Sequence, residues 1–150
     1  LGDTDGKTND YIRKIAEKHN LQIVPLLPDY TDLGGDISTY TYSPSEFLYV
    51  LQNAEFVATD SFHGSVFSII FEKPFRWFAR KSKTVKSGEK MSDRTNTLFS
   101  TLGIDSWCVA DFNESVDGVM TADYSQTTAL LSKERAKAIR FLNNALSQDK

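Results

Sequence analysis

Seven consecutive residues, Thr59-Asp60-Ser61-Phe62-His63-Gly64-Ser65, bring together a carboxylate, an imidazole, hydroxyls and a glycine. A short apolar run, Phe56-Val57-Ala58-Thr59, precedes them, and Val66-Phe67-Ser68-Ile69-Ile70-Phe71 follows. The pattern reads as strand, turn and buried helix, which puts Asp60, Ser61, Phe62, His63, Gly64 and Ser65 at a helix mouth. Free N–H groups and the helix dipole at such an end favour an anion such as phosphate. Gly64 and Ser65 are small enough to admit a ligand to the backbone, Ser61 and Ser65 offer hydroxyls, and His63 can exchange a proton near neutral pH. Spacing alone leaves a blander alternative open, in which Asp60 or Ser61 caps the helix and His63 is a satisfied first-turn residue. His19 falls at a helix end, where a cation suits the dipole, and is read as structural. The Gly-x-Ser-x-Gly elbow of serine hydrolases is missing around Ser61 and Ser65. No second His and no carboxylate cluster accompanies His63, so no metal site is expected.

A second feature is basic. Residues 76–94 hold seven Lys/Arg against Glu89 and Asp93. As a solvated loop the stretch means little. As a lid it would bring Arg76, Arg80, Lys81, Lys83 or Arg94 over an anion at the Ser61–Ser65 turn. Arg94, expected at the start of a helix, is the best placed for a bidentate contact with carboxylate or phosphate.

The elements that must position these residues follow from periodicity and caps. Ile12, Ile15, Ala16 and His19 share a face and predict a helix over residues 10–19, stopped at Asn20. Residues 21–27 read as a buried strand and residues 29–42 as a loop with Gly34-Gly35. Ser43, Pro44 and Glu46 make a capping box with proline at the first helical position, and Tyr42 and Phe47 are spaced for a hydrophobic staple. Phe47, Leu48, Leu51 and Ala54 form the stripe of that helix. Strands are expected at 56–59, 75–78 and 107–109, with a mobile stretch over 81–90. Ser92 is expected to cap a helix with Thr95, Leu98, Phe99 and Leu102 inward and Gly103 as its stop. A last helix over 132–147 places Ala136, Ile139, Leu142 and Leu146 on one face. Alternating helices and strands without a repeat predict an α/β fold, a mostly parallel sheet with helices on both faces.

Bulk properties set the frame. The 150 residues are 40% hydrophobic and 25% charged, which fits one globular domain. A net charge of -3 gives no general attraction to nucleic acid, and no apolar run reaches the ~20 residues of a membrane span. No signal-peptide pattern is seen, and the one cysteine, Cys108, has no internal disulfide partner. A cytoplasmic location is the reading. The opening Leu1-Gly2-Asp3-Thr4-Asp5-Gly6 reads either as a loop whose preceding element lies outside the chain or as a loose tail.

The stretch from Asn53 to Phe75, built around Thr59-Asp60-Ser61-Phe62-His63-Gly64, resembles the polysaccharide pyruvyl transferase family. Tyr42-Ser43-Pro44-Ser45-Glu46-Phe47 and Met91-Ser92-Asp93-Arg94 through Leu102-Gly103 resemble it as well, and Leu1 to Leu27 does so more loosely. The resemblance implies a Rossmann-like three-layer domain, the C-terminal half of a GT-B-like fold with its active site in the cleft between two halves. Residues 1–150 would then be one domain of a larger enzyme, with the first strand and the N-terminal domain as partners outside it. It also implies pyruvyl transfer from phosphoenolpyruvate, as donor substrate and with no cofactor, to a sugar or lipid-linked saccharide in bacterial cell-surface polysaccharide synthesis, at or near the inner membrane face. His63 matches the motif histidine and would be the general acid, with phosphate at the helix N-terminus and a cation on the carboxylate. Another branch of the family carries Arg-x-His where this chain has Ser61-Phe62-His63, so Arg94, a lid residue or the other domain must supply that cation, or the donor differs. The rival readings are a nucleotide-sugar transferase of GT-B type and a non-catalytic anion-binding module.

Overall fold

The computed structural model describes residues 6–26, 42–79 and 85–147, and for 85–92 the backbone alone. The order is α1 (Lys7–His19), α2 (Pro44–Asn53), β1 (Val57–Thr59), α3 (Phe62–Ile70), β2 (Phe75–Phe78), α4 (Val85–Leu102), a 3-10 turn (Asp105–Trp107), β3 (Cys108–Val109) and α5 (Ser125–Ser147). The strands form a parallel sheet in the order β1-β2-β3, with Val57 opposite Phe75 and Trp77 opposite Cys108. The domain is Rossmann-like α/β.

Alternation along β2 builds a core on each sheet face. Phe75 and Trp77 point one way, into a cluster with Leu51, Ile69, Phe99, Leu102 and Tyr124 from α2, α3, α4 and the entry to α5. Phe78 points the other way, with Val109, toward Tyr11, Ile12 and Ile15 of α1. Each large apolar side chain so buried stabilises the fold by roughly 1.5–3 kcal/mol. The Tyr124 hydroxyl donates to the Lys73 carbonyl at 2.6 Å and to that of Ser68 at 3.3 Å, which fastens the start of α5 to the turn after α3.

The local signals in the sequence act as written. Ser43 Oγ accepts the Glu46 N–H at 3.3 Å, and the Glu46 carboxylate accepts the Ser43 N–H at 2.8 Å, closing the capping box. Asn20 ends α1 in the left-handed region with φ 52°, and Gly103 follows α4 at φ 69°.

Other expectations are corrected. Helix α1 starts at Lys7 rather than Asp10, entered through Gly6 at φ 76°. The described residues 21–26 carry no strand pairing, although Leu21, Ile23 and Leu26 pack against the two cores; Leu27 and most of the 29–42 loop lie outside the described residues. Helix α4 begins at Val85, so 85–90 is helical and Ser92 lies inside the helix, not at its cap. Lys, Glu and Met are good helix formers, and the single Gly88 costs only about 1 kcal/mol. Helix α3 does not bury an all-apolar surface: Gly64, Ser65, Ser68 and Ile69 face in, and Ile70 is half exposed. Helix α5 starts at Ser125, seven residues earlier than expected, and its apolar stripe is not covered. Among the described residues Ile139, Leu142 and Leu146 are 58%, 56% and 73% exposed.

Candidate functional site

Strand β1 ends at Thr59, and its carboxyl end delivers the chain to the N-terminus of α3. Thr59 closes the turn: its Oγ1 accepts the Ser61 N–H at 3.1 Å. Ser61 is the N-cap, extended at φ -91° and ψ 134°, and its Oγ accepts the Gly64 N–H at 3.4 Å. Its carbonyl receives both the Ser65 N–H at 3.0 Å and the Ser65 hydroxyl at 3.1 Å. The Ser68 hydroxyl binds the Gly64 carbonyl at 2.8 Å. Phe62 and His63 are the first two helical residues, ahead of the first intrahelical donor, the Ser65 N–H, so their N–H groups are those a helix end offers to an anion.

Gly64 and Ser65 serve the turn from within. A Cβ on Gly64 would lie 2.3 Å from Thr59 Oγ1 and 3.1 Å from Thr59 Cβ, so the glycine lets α3 lie directly on β1. Ser65 is fully buried and its hydroxyl is committed to Ser61. Asp60 is also buried, at 7% exposure.

The exposed members gather around Phe62. The His63 ring stands edge-on to it, centroids 6.0 Å apart. The Arg94 guanidinium lies over the same ring at 5.5 Å from its centroid, a cation–π distance. Arg94 projects from within α4 rather than from its start, because that helix begins nine residues earlier. His63 and Arg94 are both open to solvent. The structure therefore joins a helix N-terminus, an imidazole and a guanidinium on one aromatic platform, a combination suited to an anion with a proton to receive.

The remaining lid candidates divide. Arg76 is half-buried on the opposite sheet face, near Tyr11 and Glu114, with its guanidinium donating to the Phe75 carbonyl at 2.9 Å; burial lowers its pKa. It does not reach the turn. Arg80, Lys81 and Lys83 lie outside the described residues. His19 Nε2 lies 3.3 Å from the Val116 carbonyl, a structural contact. The sequence places Thr59 in the segment but not its hold on the Ser61 N–H; a hydroxyl two residues before a serine N-cap was the available signal. Among the described residues no group of three His, Cys, Asp or Glu could hold a metal ion, and no helix is long and apolar enough to cross a membrane.

A cavity of about 680 Å³ touches this turn at Asp60, Ser61 and Gly64 but is not lined by Phe62, His63 or Arg94. It runs back between α1, α2, residues 21–26 and β1 and is apolar. The His63 and Arg94 side chains lie outside it.

Comparison with curated proteins found no match, nor did comparison with solved structures. The family model described as polysaccharide pyruvyl transferase matches residues 3–82, more than half the chain, and includes the whole of β1, the His63 turn and α3. Arg94 lies beyond the matched residues. The chain belongs to the polysaccharide pyruvyl transferase family.

Proposed function

We propose that this domain is the C-terminal, GT-B-like half of an enzyme that moves pyruvate from phosphoenolpyruvate onto two hydroxyls of a sugar, forming a cyclic ketal and releasing phosphate. The acceptor would be a free or lipid-linked saccharide, met on the cytoplasmic side of a bacterial membrane. The observation that carries the reading is the placement of His63 and Arg94 against the same Phe62 ring at the α3 N-terminus.

Each residue has a part in that chemistry. The N–H groups of Phe62 and His63 and the helix dipole receive the phosphate. Arg94, in a fork geometry matched to carboxylates, takes the carboxylate of the donor and answers for the cation that the Arg-x-His branch carries at the position of Ser61. His63, as imidazolium, gives its proton to the methylene carbon of the enol. Positive charge then develops at the neighbouring carbon, and a sugar hydroxyl adds there and loses its proton. The C–O bond to phosphate breaks, and the second hydroxyl closes the ring as its own proton leaves. The methyl group of the ketal holds the proton that came from His63, and phosphate carries away the bridging oxygen.

The test is acceptor-dependent phosphate release by the full-length enzyme with phosphoenolpyruvate and a panel of sugars. His63→Ala is expected to lower turnover by about 10²–10⁴-fold with the fold intact, the usual scale for removing a general acid. Turnover with UDP- or GDP-sugars instead of phosphoenolpyruvate would refute the donor. Unchanged turnover in His63→Ala would refute the acid.

A further inference from the structure

A helix start leaves its first N–H groups without partners inside the helix, and those of α3 can be followed one at a time. The Ser61 N–H goes to Thr59 Oγ1 at 3.1 Å, the Gly64 N–H to Ser61 Oγ at 3.4 Å and the Ser65 N–H to the Ser61 carbonyl at 3.0 Å. Among the described residues nothing accepts the N–H of Phe62 or His63. Two adjacent donors are left over, enough for two oxygens of one phosphate. Ser61 makes this division, since its hydroxyl and its carbonyl close the positions deeper in the helix. Whatever places Ser61 therefore decides where the two remaining donors stand.

Thr59 does so. It is the last residue of β1, opposite Trp77 of β2, so its backbone is held by the sheet. Its branched side chain is stiff at χ1, and its hydroxyl reaches two residues forward to the Ser61 N–H. The same Oγ1 lies 2.3 Å from where a Cβ on Gly64 would stand, against the third residue of α3. One oxygen thus meets the turn on both sides of the free donors: it bonds the residue before Phe62 and packs on the residue after His63. A methyl in its place would keep the packing but offer no acceptor. The half-buried Ser61 N–H would then have to turn toward another partner, and the cap would turn with it.

We infer that Thr59 is a positioning residue for anion binding at this site: its hydroxyl, acting through Ser61, sets the direction of the Phe62 and His63 N–H groups. The inference rests on the reading that a phosphate meets those groups, and it adds the residue that aims them. Serine at this position keeps the acceptor and loses only the methyl that stiffens χ1, so it should serve nearly as well. Valine keeps the shape and loses the acceptor.

Thr59→Val and Thr59→Ser test it in the full-length enzyme, with inorganic phosphate as the probe and the Phe62 and His63 backbone amide resonances as the readout. Thr59→Val is expected to raise the phosphate Kd by about tenfold or more, and Thr59→Ser to stay within about threefold of wild type. Kinetics supply a readout that loss of folded protein cannot mimic. KM for phosphoenolpyruvate should rise in Thr59→Val by a similar factor, whereas a smaller folded fraction lowers kcat and leaves KM alone. If urea unfolding shows that Thr59→Val does not fold, Thr59→Ala makes the same comparison with no methyl against Gly64. A phosphate Kd unchanged by loss of the hydroxyl, or raised as much by Thr59→Ser, overturns the inference. So does a wild-type enzyme whose Phe62 and His63 amides do not respond to phosphate. Phosphate binding that depends on the Thr59 hydroxyl, in an enzyme that does not turn over phosphoenolpyruvate, would uphold the inference and refute the donor alone.

Discussion

In the proposed reaction His63, Phe62 and Arg94 divide the labour at the α3 N-terminus. Phe62 is the platform, and its two neighbours differ in how they should respond to change. Arg94→Lys keeps the charge but loses the planar fork and the stacking on Phe62. It is expected to weaken donor binding nearly as much as Arg94→Ala, by about tenfold or more, as measured by KM for the donor in the full-length enzyme. Full activity in Arg94→Lys would mean that Arg94 acts only as a point charge or not at all. Cys108 gives a prediction without catalytic content. Burial, with Asp105 nearby, pushes its thiol up to about 11. Its thiolate fraction at pH 8 is thus small, and alkylation by iodoacetamide in the folded chain should run about a hundredfold or more slower than for free cysteine. A rate near that of the free amino acid would contradict the burial.

Two elements hold the turn in place, and each can be broken singly. Gly64→Ala forces a methyl against Thr59 Oγ1 and Cβ, both side-chain atoms at the strand end. The expected cost is about 1–3 kcal/mol in urea unfolding, partly recovered in the Thr59→Ala, Gly64→Ala double variant, which removes the closer of the two contacts. In α2 the hydrogen bonds from the Ser43 hydroxyl and backbone N–H hold the Glu46 carboxyl below its usual pKa. A depressed folded pKa adds stability that is present above the unfolded value, about 4.3, and is lost as pH falls through the folded one. Glu46→Gln should therefore destabilise the chain more at pH 6 than at pH 3. Equal effects at both pH values would show that the charge of Glu46 contributes nothing. The capping box, Asn20, Gly103 and strand β2 were readable from sequence because their signals lie within a few residues. The start of α4 was not, since Ser92 is a good cap only if nothing helical precedes it. The role of Gly64 was hidden for a different reason: the atom that demands a glycine belongs to Thr59, and only the packing of α3 on β1 brings them together.

Across the whole molecule the parallel α/β class followed from the alternation of elements, whereas the pairing of residues 21–26 and the exposure of α5 did not. Residues 21–26 have the composition of a buried strand, and composition cannot reveal that they pair with no strand among the described residues. The stripe of Ile139, Leu142 and Leu146 has helical period, and periodicity cannot say whether anything covers it. Tyr124 marks where the fold is fastened: its ring meets Trp107 at 5.0 Å, and its hydroxyl ties α5 to the turn that follows α3. Tyr124→Phe takes the hydroxyl donor from the half-buried Lys73 carbonyl and leaves the Ser68 carbonyl with the Lys73 N–H alone, and should cost about 0.5–1.5 kcal/mol in urea unfolding. No measurable loss would mean that water takes over the bond.

The claim that ties these scales together is that the α3 N-terminus, with His63 and Arg94, is where phosphoenolpyruvate binds. A titration of the 150-residue chain with phosphoenolpyruvate, followed by backbone amide resonances, addresses it most directly. The account predicts saturable shifts centred on Ser61 through Ser65, weakened by about tenfold or more in Arg94→Ala. Shifts confined to the walls of the apolar cavity, or a response to UDP and GDP with none to phosphoenolpyruvate, would contradict it.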